Sequence, residues 1–210
     1  MPVNLLTVEF GIAVDSAGSI VFFSTFCYTC GMSDAAPIIE EDTPLVEERI
    51  ERIYGTVYAM GSPNAVHQVI FGEVFHQLKN FFDGKPCTPY AAPFDLYPLA
   101  DLGDTGTVVQ PDIFMVCDKE RLKIDGYYGP PPLVIEILSQ NRSHDLVTKL
   151  NLYHQAGVEE YVVIDPLYKI VMVFTYGEDA YRCNAYSFSD KIPSHRFEGF
   201  FFDLSFPLPF

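Results

Sequence analysis

Residues 130 to 139 read PPPLVIEILS, and the glutamate among them, Glu136, constrains the fold more than any other feature of the chain. Leu133, Val134, Ile135, Ile137 and Leu138 form a nearly unbroken aliphatic run, introduced by prolines and closed by Ser139 and Gln140. Such a run reads as a strand buried on both faces. A carboxylate inside it costs several kcal/mol of desolvation unless it is paired, protonated or bound to a metal. The net stability of a whole domain is only ~5–15 kcal/mol, so the fold must bring a partner to Glu136.

Around this strand the pattern alternates between helix and strand periods. ERIYGTVYAM (51–60), with Gly55 at its centre, predicts a hairpin or two short strands, and GSPN (61–64) supplies a turn and a helix start. Val66, Ile70, Val74, Phe75, Leu78 and Phe82 recur at helical spacing until Asp83 and Gly84 stop the helix. Residues 93–97 and 107–117 read as strands, the second starting properly only after Pro111. After the buried strand, Ser143 is a plausible N-cap, and Leu146, Leu150 and Tyr153 form a helical stripe ending at Gly157. EEYVVIDP, KIVMVFTY and residues 180–188 are further strands, and FEGFFFDLSFPLPF closes the chain with an edge strand and an irregular tail. The order predicts one α/β (α+β) domain, a mixed sheet flanked by helices.

The net charge of −15 opposes sequence-independent affinity for phosphate backbones. Residues 1–48 hold eight acids and no Lys or Arg, and the remainder has 20 acids against 13 bases. A nucleic-acid substrate would therefore need a local basic patch or metal ions. Five scattered cysteines, Cys27, Cys30, Cys87, Cys117 and Cys183, suggest reduced thiols and a cytoplasmic location, and Cys27–Cys30 is a lone CxxC without a second ligand pair.

Residues 1–31 are apolar but lack the basic start of a signal peptide, since the first basic residue is Arg49, and Asp15 interrupts them as a membrane span. The composition changes abruptly at Met32. The expectation is a dispensable, disordered extension (1–31) before a domain of residues 32–210; the alternative is an extra strand and hairpin packed on that domain.

Asp112 opens one strand directly after Pro111, and Glu136 lies in the next. Neighbouring strands are only ~4.8 Å apart, so the two carboxylates can converge. A pair of hard oxygen ligands suits Mg²⁺ or Mn²⁺, which takes its remaining ligands from water and substrate phosphate and supports phosphodiester hydrolysis. Pairing with Lys or Arg is the structural alternative for each acid, and capping a strand or turn after the proline is a further alternative for Asp112.

The succession PD, LVIEILS, Asp145-x-x-x-Lys149-x-x-x-Tyr153 and AGVEEYVVIDP resembles the Uma-type family of restriction endonucleases, within the PD-(D/E)XK nuclease superfamily. The resemblance runs from about Glu48 to Phe206 and includes His67 and the closing Phe197 and Gly199. It implies a restriction-endonuclease-like core, with Asp112 in the PD position and Glu136 in the (D/E) position. The motif lysine is replaced by Leu138, and the family pattern supplies one from the following helix, which matches Lys149. Pro132 stands where relatives carry an acidic residue.

From the residues themselves, Lys149 lies along the stripe of Leu146 and Tyr153, so its nitrogen should approach Glu136 or Asp112; an i,i+4 pair with Asp145 is its structural alternative. His67 reads as a satisfied pocket histidine, Asp165 as a turn residue, and Ser139 and Gln140 as residues lining the site. The leading expectation is a Mg²⁺-dependent endonuclease acting on nucleic acid, DNA first. Asp112, Glu136 and the Ile137 carbonyl would hold the ion, and Lys149 would orient water or stabilise charge. Double-strand cleavage would require a homodimer or two successive events. The rival is a non-catalytic binding or assembly module of the same fold, and a basic rim from Lys119, Arg121, Lys123 and Arg142 would favour the nuclease.

Overall fold

The computed structural model describes residues 9–14, 20–25, 49–139 and 144–209. Two compact units divide the chain, Met1–Leu45 and Val46–Phe210. In the first, Glu9–Val14 and Ile20–Thr25 pair as an antiparallel hairpin.

The second unit opens with strands β1 (Ile50–Ile53) and β2 (Thr56–Ala59), joined by a two-residue turn. Tyr54 and Gly55 both have positive φ, 51° and 79°, the geometry of a type I′ hairpin, for which glycine is suited at the second position. Helix α1 (Ala65–Phe81) follows, its N-terminus capped by the Asn64 side chain accepting from the His67 N–H at 2.9 Å. His67, Ile70, Val74 and Leu78 form its buried stripe.

Strands β3 (Thr88–Ala91), β4 (Ile113–Val116), β5 (Leu133–Ile137), β6 (Glu160–Asp165), β7 (Ile170–Thr175) and β8 (Arg182–Ser187) make a six-stranded sheet in the order β8-β7-β6-β5-β4-β3. β5 and β6 are parallel and the other neighbours antiparallel. The crossover between β5 and β6 carries a π-helical turn, His144–Lys149, that runs into helix α2 (Leu150–Ala156). Gly157, at φ 82°, ends α2 in the left-handed conformation expected of a helix stop.

Period-2 alternation sends successive strand residues to opposite faces, each with its own core. On one face Ile113, Met115, Ile135, Val162 and Ile164 pack with α1 and with the closing aromatic residues Phe197, Phe200 and Phe202. On the other, Phe114, Val134, Leu138, Tyr161 and Val163 pack with Leu152 and Tyr153 of α2. All five residues of β5 are buried, as the apolar run requires. Full burial of each such aliphatic side chain contributes roughly 1.5–3 kcal/mol, so the two-sided core is the main source of stability.

Three expectations change. The strand read at 93–97 lies instead at Thr88–Ala91, with only Leu96–Tyr97 strand-like in that range, because Pro89 obscures a segment that pairs with β4. Cys87 and Cys117 are disulfide-bonded rather than reduced, since they flank the paired residues Thr88 and Val116 at the ends of β3 and β4. Cys183 is free and exposed, whereas Cys27, Cys30 and the Ser143 cap lie outside the described residues. The second helix begins as a π turn, which an apolar stripe does not distinguish from an α turn. Asp165 is the turn residue expected, accepting from the N–H groups of Leu167 and Tyr168 at 3.1 and 3.2 Å. A second buried acid, Glu160, is wholly occupied by the 194–196 turn: it accepts from Ser194 Oγ at 2.6 Å and from the N–H groups of His195 and Arg196.

Candidate active site

The β4–β5 register pairs Ile113 with Ile135, so one step further Asp112 stands opposite Glu136. The Ile137 N–H donates to Asp112 Oδ2 at 2.8 Å, and the Asp112 N–H points at Glu136 Oε2 over a longer 3.4 Å. The two carboxylates expected to converge do so, at the ends of adjacent strands. There α1 on one face and the crossover helix on the other can both reach them.

From α1 comes His67, the first member of the buried stripe. Its Nε2 lies 3.1 Å from Asp112 Oδ2, an oxygen that therefore takes two donors when Nε2 carries the proton. No donor among the described residues approaches Asp112 Oδ1. The pocket placement expected of His67 holds, and its Nε2 meets the first motif acid. It is not fully satisfied, since its Nδ1 is buried with no hydrogen-bond partner among the described residues.

From the crossover comes Lys149. Its Nζ donates to Glu136 Oε1 at 2.8 Å, and the Tyr153 hydroxyl donates to the same oxygen at 3.2 Å. One π turn followed by α-helix puts both residues on the side facing the sheet, and both are buried. Leu138, in the motif position where a lysine would stand, is 4% exposed within the α2-side core. The side chain of Asp145 lies outside the described residues.

Sequence reasoning missed Glu51. It is 2% exposed, and its Oε1 accepts from Lys149 Nζ at 2.8 Å and from the Gln110 N–H at 2.9 Å. Lys149 thus bridges two buried carboxylates, Glu51 and Glu136. The signal was present: β1 alternates exposed and buried, placing Glu51 on the side of Ile53, the same conflict between burial and charge that marks Glu136.

These residues line one small cleft of about 90 Å³, walled by Arg49, Tyr58, Met60 and Pro63 and including Ile137 and Ser139. It has room for an ion with several waters. Gln140 lies outside the described residues. Among the described residues no group of three or more His, Cys, Asp or Glu side chains is arranged to hold a metal. The cleft instead offers the carboxylate oxygens of Asp112 and Glu136, with Ile137 beside them on its lining. It fits Mg²⁺, which commonly binds one or two carboxylates and completes its shell with water and phosphate.

None of Lys119, Arg121 and Lys123, candidates for a basic rim, lines the cleft. Arg121 is held by Asp101 and Asp118, at 2.6 and 3.1 Å, Lys123 lies over the Tyr128 ring at 3.7 Å, and Arg142 is outside the described residues.

The model of the Uma2 family, described as "Putative restriction endonuclease", matches residues 41–205, which include the whole cleft. The chain belongs to the Uma2 family. An uncharacterized protein of Synechocystis sp. is 27% identical over 119 residues, covering 56% of this chain and 60% of the relative, so the chain spans less than two thirds of that protein. The crystal structure of a protein titled a "putative nuclease belonging to DUF820", from Anabaena variabilis, aligns with a TM-score of 0.57 at 19% identity, covering 72% of this chain and 84% of that one. At that identity the likeness concerns the fold, and it supports the mixed α+β, restriction-endonuclease-like architecture expected from the sequence. No helix among the described residues of this Uma2 protein is long and apolar enough to cross a membrane.

Proposed function

We propose that this Uma2 chain is a metal-dependent endonuclease hydrolysing phosphodiester bonds of nucleic acid, with DNA as the first substrate to test. The observation that carries the reading is the meeting of Asp112, Glu136 and Lys149 in one cleft, with the lysine nitrogen 2.8 Å from Glu136 Oε1. Asp112, Glu136 and the Ile137 carbonyl would hold Mg²⁺ or Mn²⁺. Such an ion supplies Lewis-acid polarisation of a phosphoryl oxygen and a water of lowered pKa.

The chain's own residues have distinct tasks. His67 and the Ile137 N–H fix Asp112 through Oδ2. Tyr153 and Lys149 fix Glu136 through Oε1. Lys149, anchored between Glu136 and Glu51, would orient an attacking water or stabilise charge on the phosphoryl group. One such site cuts one strand, so cleavage of a duplex calls for a homodimer or two events.

The net charge of −15 and the leucine in the motif-lysine position, Leu138, favour a second reading, a non-catalytic module that kept the fold. One assay separates them. Purified protein is incubated with DNA and RNA in Mg²⁺ or Mn²⁺, with Glu136→Ala as control. Metal-dependent cleavage lost in the variant supports the nuclease, and binding without cleavage by the wild type supports the module.

A further inference from the structure

We propose that Arg49 forms a subsite for a phosphodiester group in the cleft, aimed by the side chain of Gln110. The proposal rests on the nuclease reading and names the residue that would grip the polyanion. Arg49 stands at the base of the β1–β2 hairpin, where its carbonyl accepts from the Met60 N–H at 2.8 Å, and it lines the same cleft as Asp112, Glu136 and Lys149. Its Nε and Nη2 both donate to Gln110 Oε1, at 3.3 and 3.2 Å.

Gln110 is itself fixed twice. Its Nε2 donates to Asp95 Oδ1 at 2.8 Å, and its backbone N–H donates to Glu51 Oε1 at 2.9 Å. The guanidinium is therefore oriented by a neutral amide oxygen, which leaves its charge uncancelled. Among the described residues Arg49 makes no ion pair, whereas Arg121 is bound by Asp101 and Asp118, and Arg196 by Glu159. Two of its five N–H donors go to Gln110, and three remain.

The cleft needs such a cation. It holds Glu51, Asp112 and Glu136, and its lysine is already committed to two of them. Three carboxylates against Lys149 leave the cleft at −2, which Arg49 reduces to −1. The chain's net charge of −15 gives no general attraction, so the cation beside the entering phosphodiester matters. A guanidinium fork matches phosphate oxygens in geometry as well as charge. Gln110 precedes Asp112 by two residues, so the residue aiming the fork and the first motif acid share one stretch of backbone.

The test uses the full chain carrying Glu136→Gln to silence cleavage. Its binding to short single-stranded DNA, duplex DNA and RNA is measured by fluorescence anisotropy over a range of NaCl concentrations. Adding Arg49→Gln should weaken binding about tenfold, the loss expected for one charged hydrogen-bonded contact. It should also lower the slope of log K against log salt by about 0.9 for the duplex or about 0.7 for a single strand. Arg49→Lys should restore the slope but only part of the affinity, because the point charge lacks the fork. Melting curves verify that each variant is folded, and Arg49→Met, which keeps the aliphatic stem, replaces the glutamine variant if that one is not. Equal affinity and slope with and without Arg49, in a parent that binds, would overturn the subsite and leave the nuclease reading standing. A parent that binds none of the three polymers overturns both.

Discussion

Replacing Lys149 by methionine keeps an unbranched stem and removes the charge shared by two buried carboxylates. Nζ lies 2.8 Å from Glu51 Oε1 and 2.8 Å from Glu136 Oε1. At an effective dielectric constant of about 20 each contact represents roughly 6 kcal/mol of gross attraction. Much of that is offset by the cost of taking the ions out of water. Deleting one partner does not return this cost, because the carboxylates stay buried, at 2% and 4% exposure, facing the place the ammonium held. The expected loss is ~3–5 kcal/mol. For a domain of this size each kcal/mol moves Tm by about 2–4 °C, so Lys149→Met should melt roughly 6–20 °C below the wild type by circular dichroism. Glu51→Gln is the control. The amide oxygen can still accept from Lys149 and from the Gln110 N–H, and the change should stay within ~1 kcal/mol of the wild type. In that background Lys149→Met should cost less than it does alone, because only one buried carboxylate, Glu136, then loses its ammonium, and the difference measures the coupling. A Lys149→Met protein melting within a degree or two of the wild type would refute the reasoning, since the carboxylates would then be compensated by something other than this lysine.

If Asp112 and Glu136 share a divalent ion, Mg²⁺ or Mn²⁺ at a hundred times its Kd should add ~2.7 kcal/mol of stability, and Glu136→Gln should abolish the increment. Equal thermal shifts in both proteins would remove the metal site. Site-resolved alkylation without reductant should label Cys183 and spare Cys87 and Cys117, and replacing the pair by serine should cost ~3–4 kcal/mol for a crosslink of sequence separation 30. Labelling of all three in the unreduced protein would contradict the bond. Although Cys183 is exposed, partial desolvation pushes its thiol up, so the midpoint of its alkylation rate against pH should lie above that of a free cysteine peptide measured alongside; a midpoint at or below the peptide's counts against it. A chain starting at Met32 should melt with the full-length protein, and a drop of many degrees would make residues 1–31 part of the core.

Where burial and charge conflict, the site was legible. Glu136 is betrayed by the aliphatic residues on both sides of it, and Asp112 by its place one step before the next apolar strand. Lys149 follows from the stripe of Leu146 and Tyr153, which leaves a lysine between them few directions to point. Glu51 obeys the same rule but escaped it. In a strand of four residues, either set of alternating residues can be the inner one, and only the docking of the hairpin decides. Pairing over long separations was equally hidden: nothing local in TPYA announces an edge strand against β4, and nothing in two cysteines 30 residues apart announces that they flank paired positions. The π turn stayed hidden because hydrophobic spacing over a single turn cannot count the residues in it.

The β1–β2 hairpin is not a member of the six-stranded sheet; it is tied to the unit through the bridge between Arg52 and Val108, the Tyr54 contacts with Thr107 and Gln155, the Arg49 and Glu51 contacts with Gln110 and Lys149, and the buried side chain of Ile53. A small element outside the main sheet is a candidate for opening ahead of the unit as a whole. Were it to lift, Glu51 would leave Lys149, and the ammonium would lose one of the two carboxylates between which it is held. The breathing of the hairpin and the electrostatic state of the cleft are thus two views of a single equilibrium. Any ligand that draws Lys149 toward itself loosens the hairpin, and any mutation that loosens the hairpin alters how firmly Lys149 is held. Amide exchange in Ile50–Ile53 then becomes a remote gauge of what occupies the cleft.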